Sequence, residues 1–204
     1  MKLFIPGPVY VRPEILKEMS RQMVMGHRDK EFSALFNEIT PKLNKLLYTS
    51  NKVFMSTSSA TGLMEAAIRN CVGKKCLNLV CGAFSDRWRK IVLECGKGSN
   101  AIEVSMGKAI KPDMVREELE KNDYDALCLT HNETSTGVMN PLEEIAEVAK
   151  DFPNIIFMVD AVSSMGGVKI DVDKLKIDVC LASVQKCLGL PPGFSICSVS
   201  DKAL

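Results

Sequence analysis

Short apolar, β-branched runs recur along the chain, and helical patterns separate them. Residues 53–56, 76–80, 101–104, 126–130, 155–160, 179–183 and 194–199 read as strands. Ile155-Ile156-Phe157-Met158-Val159 is apolar throughout, as a strand covered on both faces requires. Residues 13–22, 31–47, 62–70, 85–95, 112–122 and 141–150 read as helices. Three of these open with proline, which suits a first helical turn. In the second, Phe32, Leu35, Phe36, Ile39, Leu43, Leu46 and Leu47 recur at helical spacing. Alternation at this pitch predicts βαβ units: an α/β fold with a mostly parallel sheet flanked by helices.

Ligands of an open α/β sheet bind beyond the carboxyl ends of its strands. Small and polar residues cluster after five of the predicted strands. They are Ser56-Thr57-Ser58-Ser59-Ala60-Thr61-Gly62, Cys81-Gly82-Ala83-Phe84-Ser85, His131-Asn132-Glu133-Thr134-Ser135, Asp160-Ala161-Val162-Ser163-Ser164 and Ser183-Val184-Gln185-Lys186. One such cluster is an ordinary turn; five at one edge imply a polar site. The Ser/Thr/Gly loop entering a helix suits a phosphate, through free N–H groups, the helix dipole and short hydroxyls. Serine-rich N-caps are common, so that signal is weak alone. No Gly-Lys-Ser/Thr follows, which excludes a Walker loop. Asp160 ends an apolar strand, either as a turn residue or as the partner of a cation. Lys186 has small and apolar neighbours and no adjacent acid, which suits a nucleophilic amine; standing alone it reads as a snorkelling loop lysine.

Taken together, a phosphate cradle, an aspartate and a lysine are the parts of a pyridoxal 5′-phosphate (PLP) site. The lysine binds the cofactor, the aspartate keeps its ring nitrogen protonated, and the helix start takes the phosphate. Phe84 offers a flat ring for the cofactor face, or ordinary core packing.

Bulk properties narrow the alternatives. Basic and acidic side chains number 26 and 25, so there is no electrostatic footprint for nucleic acid or a membrane surface. No apolar run approaches the roughly 20 residues of a spanning helix. Eight cysteines form no CxxC, and two histidines accompany them, which argues against zinc and any other metal site. Most of the thiols lie in apolar runs, as expected of buried cysteines in a reducing cytoplasm.

The ordered motifs resemble the class V aminotransferases of PLP fold type I, nearest to alanine–glyoxylate and serine–pyruvate aminotransferases. The likeness begins at Pro6-Gly7-Pro8 and Val11-Arg12-Pro13, then Ser59-Ala60-Thr61-Gly62-Leu63-Met64-Glu65. It continues through Gly82-Ala83-Phe84-Ser85-Asp86-Arg87, Thr130-His131-Asn132-Glu133-Thr134-Ser135-Thr136-Gly137 and Val159-Asp160-Ala161-Val162-Ser163-Ser164. It closes with Ser183-Val184-Gln185-Lys186 and Pro191-Pro192-Gly193.

The resemblance implies that Lys186 is the Schiff-base lysine and proton shuttle, and that Asp160 pairs with the ring nitrogen. It implies Phe84 and Val162 on opposite ring faces and Thr134 near the ring hydroxyl. Ser59, Ala60 and Thr61 hold the phosphate, joined by Gln185. Pro6-Gly7-Pro8 lies near the substrate entrance, and the enzyme is a homodimer. His131 and Glu133 are expected to be strand-end hydrogen-bonders, and His27 and Arg28 surface or interface residues.

The expected reaction is transamination between a small amino acid, alanine or serine, and a 2-oxo acid, glyoxylate or pyruvate. Cysteine desulfurases and related lyases usually carry histidine where Gln185 and Phe84 stand, which counts against them. An aminoethylphosphonate aminotransferase, or a PLP-binding fragment without turnover, remains as an alternative. Residues 1–20 are expected to form an N-terminal segment, and residues 21–204 a large PLP-binding domain incomplete at its C-terminus. The family's small C-terminal domain, which carries the substrate-carboxylate arginine, is expected beyond residue 204.

Overall fold

The computed structural model describes residues 3–204. After α1 (Pro13–Met19) and α2 (Lys30–Leu47), strands and helices alternate. They run β1 (Lys52–Ser56), α3 (Ala60–Cys71), β2 (Lys75–Val80), α4 (Ala83–Glu94), β3 (Gly98–Glu103), α5 (Pro112–Lys121) and β4 (Ala126–Thr130). A small hairpin, β5 (Asn132–Glu133) and β6 (Val138–Met139), precedes α6 (Leu142–Lys150). Then come β7 (Ile156–Asp160), β8 (Val179–Ser183) and β9 (Ser195–Val199).

Seven strands form one sheet in the order β1-β9-β8-β7-β4-β2-β3. The pairs from β3 to β8 are parallel. β9 runs antiparallel to both β8 and β1. Every predicted strand is present, and the mostly parallel α/β class holds.

The all-apolar runs have a direct explanation in the two covered faces. On β4, Leu127 and Leu129 join the layer beneath α5 and α6, while Ala126 and Cys128 join the layer beneath α3 and α4. β7 divides in the same way, with Phe157 and Val159 on one side and Met158 on the other. Because successive side chains point to opposite faces, both must be apolar. The thiols follow this pattern: Cys76, Cys81, Cys128, Cys180 and Cys197 are buried, whereas Cys187 is exposed.

Three details depart from the sequence expectation. β3 begins at Gly98, three residues early, because Gly98, Ser99 and Asn100 pair with β2 despite their polarity. The β5–β6 hairpin was not foreseen, since two-residue strands carry no periodic signal. In α2 the apolar stripe exists, but only Leu47 is buried, and Phe32, Leu35 and Phe36 stay exposed. Periodicity reports that a face is apolar, not what covers it. No described helix is long and apolar enough to cross a membrane.

Leu129 is fully buried on a central strand. Leu129→Ala is therefore expected to destabilise the chain by about 2–5 kcal/mol, read as a lower denaturant midpoint with an unchanged slope.

Candidate active site

Since β1, β2, β4, β7 and β8 all point the same way, their carboxyl ends share one edge of the sheet. A cavity of about 150 Å³ opens there. Ser59, Ala60, Thr61, Phe84, Thr134, Asp160, Val162, Gln185 and Lys186 all line it. A larger hollow, about 670 Å³, lies at the opposite edge. Its carboxylates Asp178 and Asp173 are engaged within the fold, and Asp201 is exposed. Asp178 accepts from Phe157 N at 2.9 Å, Ser200 Oγ at 2.7 Å and Lys202 Nζ at 2.8 Å. Asp173 takes Thr49 Oγ1 and, at 2.8 Å, Ser50 N. Nothing there resembles a reacting group, so the smaller cavity is the candidate site.

Asp160 is the last residue of β7 and is 4% exposed. Its Oδ1 accepts the Val162 N–H at 2.9 Å, which folds the following turn back under the strand. Its carbonyl accepts the His131 N–H at 2.9 Å, fixing the neighbouring strand end. Burial pushes the Asp160 carboxyl up from 3.8 to about 6, and the Glu133 charge adds to the rise. The Val162 N–H and the Lys186 charge oppose it. This is a carboxylate short of a cationic partner.

Lys186 sits in the turn that leaves β8, half-buried. Gln185 beside it accepts a hydrogen bond from Ser183 Oγ through its side-chain oxygen and one from Val9 N at 3.0 Å through its carbonyl. That second bond brings the N-terminal segment over the lysine. Gly7 has φ +145°, and a Cβ there would come within 2.8 Å of Lys186 Cδ and 3.2 Å of the Gln185 carbonyl. Only glycine permits this approach. Gly7 therefore packs against the stem of Lys186.

Thr134 and Ser163, on two different loops, hydrogen-bond through their hydroxyls across the cavity wall. His131 Nδ1 lies 3.0 Å from Ser164 Oγ, and burial lowers its pKa to about 4, so it is a neutral hydrogen-bonder. α3 starts at Ala60 without a side-chain cap on its N-terminus. The start of α4 is treated differently, for its amides are taken up by Glu133 and Ser135. The open helix start is the one lined by Ser59 and Thr61.

Sequence reasoning passed over Met64, Arg87, Asn132 and Ser163, which also line the cavity. Arg87 lies with its guanidinium 5.5 Å from the centre of the Phe84 ring. A helical i, i+3 relation to Phe84 was the available signal. Glu133 was correctly read as a hydrogen-bonder, but the number of its partners depends on a contact 49 residues apart in sequence, which no local pattern shows.

The donor set suits one kind of group. An uncapped helix start with hydroxyls takes an anion, an amine takes a carbonyl carbon, and a buried carboxylate takes a protonated nitrogen. These are the features of a pyridoxal phosphate, and the residues present fit it.

Comparison with known proteins agrees on the family. The chain belongs to the aminotransferase class-V family, whose sequence profile matches residues 12–204. An uncharacterized aminotransferase of Methanocaldococcus jannaschii is 43% identical over 204 residues, covering 98% of this chain and 52% of that protein. The serine–glyoxylate aminotransferase of Methylorubrum extorquens is 32% identical, covering 99% and 52%. The crystal structure of an alanine–glyoxylate aminotransferase from Nostoc sp. superposes with a TM-score of 0.92 at 34% identity, covering 98% and 53%. The chain thus spans about half the length of these relatives.

The electrostatics of Asp160 can be tested without cofactor. Its folded pKa lies above the unfolded value, so the protonated form is favoured on folding. That contribution is full below about 4 and is lost as pH rises through about 6. Asp160→Asn is expected to stabilise the cofactor-free chain at pH 8 by on the order of 2 kcal/mol. The advantage should shrink as the pH falls below the folded pKa, as measured by thermal melting across that range.

Proposed function

We propose that this chain binds pyridoxal 5′-phosphate at the Lys186 cavity and carries out transamination. The donor would be a small amino acid of the alanine or serine type, and the acceptor a 2-oxo acid of the glyoxylate or pyruvate type. One observation carries the reading: a lysine amine, a buried carboxylate and an uncapped, hydroxyl-lined helix start face a single cavity. The substrate classes rest on the relatives' names, which include serine–glyoxylate and alanine–glyoxylate aminotransferases.

When bound, the cofactor supplies an exchangeable carbonyl carbon and an electron-accepting ring. Lys186 Nζ is the amine that would hold the cofactor in this cavity. The same Nζ, facing the cavity, would serve as the base that takes a proton from the substrate and gives it back. Asp160, shielded from water, keeps a proton on the ring nitrogen, and this pairing relieves the carboxylate of its isolation. Ser59, Ala60, Thr61 and Gln185 bind the phosphate. Phe84 and Val162 cover the two ring faces and exclude water, while Thr134 orients the ring oxygen. Gly7 restricts the Lys186 stem.

A homodimer belongs to the same reading. Phe32, Leu35 and Phe36 on α2, with Phe4, Tyr10 and Val24 before it, leave apolar side chains exposed that a second copy would cover. The exposed part of the α2 stripe then has a use that the isolated fold does not explain.

With pyridoxal phosphate added, the wild-type chain is expected to develop a bound-cofactor absorbance band, and Lys186→Ala to lack it. Pyruvate formation from alanine and glyoxylate should fall by at least ~10²-fold in that variant. A band unaffected by Lys186→Ala contradicts the reading. Cofactor uptake by the wild type without turnover reduces the function to binding.

A further inference from the structure

The first turn of α4 is held from outside its own chain segment. An α-helix leaves its first N–H groups without intrahelical partners, and the residue just before the helix usually supplies a side-chain acceptor. Here that residue is Gly82, which has no side chain to offer. The acceptors come instead from the loop after β4. Glu133 Oε1 accepts Phe84 N at 3.2 Å, and Oε2 accepts Ser85 N at 2.9 Å and Ser85 Oγ at 2.8 Å. Ser135 Oγ accepts Ala83 N at 2.9 Å and donates to Glu133 Oε1 at 2.7 Å, and Ser135 N reaches the same oxygen at 3.2 Å. Three consecutive amides at the helix start are thereby satisfied by two side chains.

Gly82 makes the arrangement possible. A Cβ at this position would lie 2.5 Å from both Glu133 Cγ and Ser135 Oγ. Glu133 is fully buried. Burial pushes its carboxyl up, but the donors from Ser85, Ser135 and Phe84 outweigh burial and hold it below its ordinary value. The clamp is therefore charge-assisted, the stronger kind of hydrogen bond. Both sides of the clamp carry cavity residues: Phe84 is one of the clamped amides, and Thr134 follows Glu133 directly.

We propose that the Glu133 carboxylate is a positioning residue that fixes the start of α4, and with it Phe84, against the cofactor cavity. The proposal rests on the PLP reading of that cavity. Glu133 does not line the cavity, and besides its charge acting on Asp160 its contact with the site runs through Phe84, so the part of its effect that Phe84→Ala abolishes is the part assigned to positioning. A glutamine cannot replace it. Donors approach both carboxylate oxygens, so an amide NH₂ in either orientation confronts a backbone N–H. An aspartate keeps the charge but falls one methylene short.

The test is a double-mutant cycle on the dissociation constant of pyridoxal phosphate, read in the natural chain by quenching of Trp88. This is the one tryptophan, and it is buried on α4 itself. Glu133→Gln, Glu133→Asp and Phe84→Ala are each expected to weaken cofactor binding by about 10-fold, the loss expected for a buried charged partner or a stacking face. In the Phe84→Ala background, Glu133→Gln should add less than ~3-fold, since the residue it positions is gone. Ser135→Ala, a milder cut at the same clamp, should give a smaller loss in the same direction and keeps the test open if Glu133→Gln does not fold. Trp88 emission of the cofactor-free Glu133→Gln chain is expected to shift as the first turn loosens. Losses that multiply in full between Glu133→Gln and Phe84→Ala overturn the proposal, as does a Glu133→Asp chain that binds like wild type. Either result leaves the PLP reading standing. A wild-type chain that binds no pyridoxal phosphate overturns both.

Discussion

A carboxylate withdrawn from water at the end of a buried strand is the constraint around which this site is arranged. Asp160 has one backbone donor within its own turn, and burial leaves it poorly stabilised as an anion. A folded protein tolerates such a group where a cation or a protonated ring completes it. Within the chain, the Lys186 charge already acts on Asp160. The proposed function gives this arrangement a reason: pyridoxal phosphate chemistry needs an amine and a shielded carboxylate in one cavity.

The topology explains how residues spread over more than a hundred positions meet. Parallel pairing from β3 to β8 sends the loop that follows each of these strands to the same edge. Burial on both faces makes those strands rigid, so the first residues beyond them are well placed. The polar residues then hold one another. Val9 and Gln185 tie the N-terminal segment over Lys186, Thr134 and Ser163 join two loops, and Glu133 ties the first of these two to α4. The loops are irregular, but these hydrogen bonds tie them to one another, as a preorganised site requires.

Much of this was legible in the sequence because it depends on short-range patterns. Covered strands read as continuous apolar runs, and the residues after them read as polar clusters. All nine site residues line the cavity, though Thr134, Val162 and Gln185 were named for it only through the family resemblance. What was not legible depends on contacts between distant segments. The β5–β6 hairpin is too short for periodicity. The polar start of β3 is held by pairing with β2 and not by its own composition. Glu133 looked like one more strand-end acid, and its part in holding α4 appears only when residues 83–85 are brought beside it. The stripe on α2 showed its apolar face correctly and said nothing of its partner.

The central claim is that one particular amine among the lysines of this chain meets the cofactor. Borohydride reduction of the cofactor-loaded chain, followed by peptide mass mapping, tests it most directly. The account predicts a pyridoxyl group on the peptide containing Lys186 and on no other. A label on a different lysine, or scattered among surface lysines with Lys186 unmodified, would contradict it.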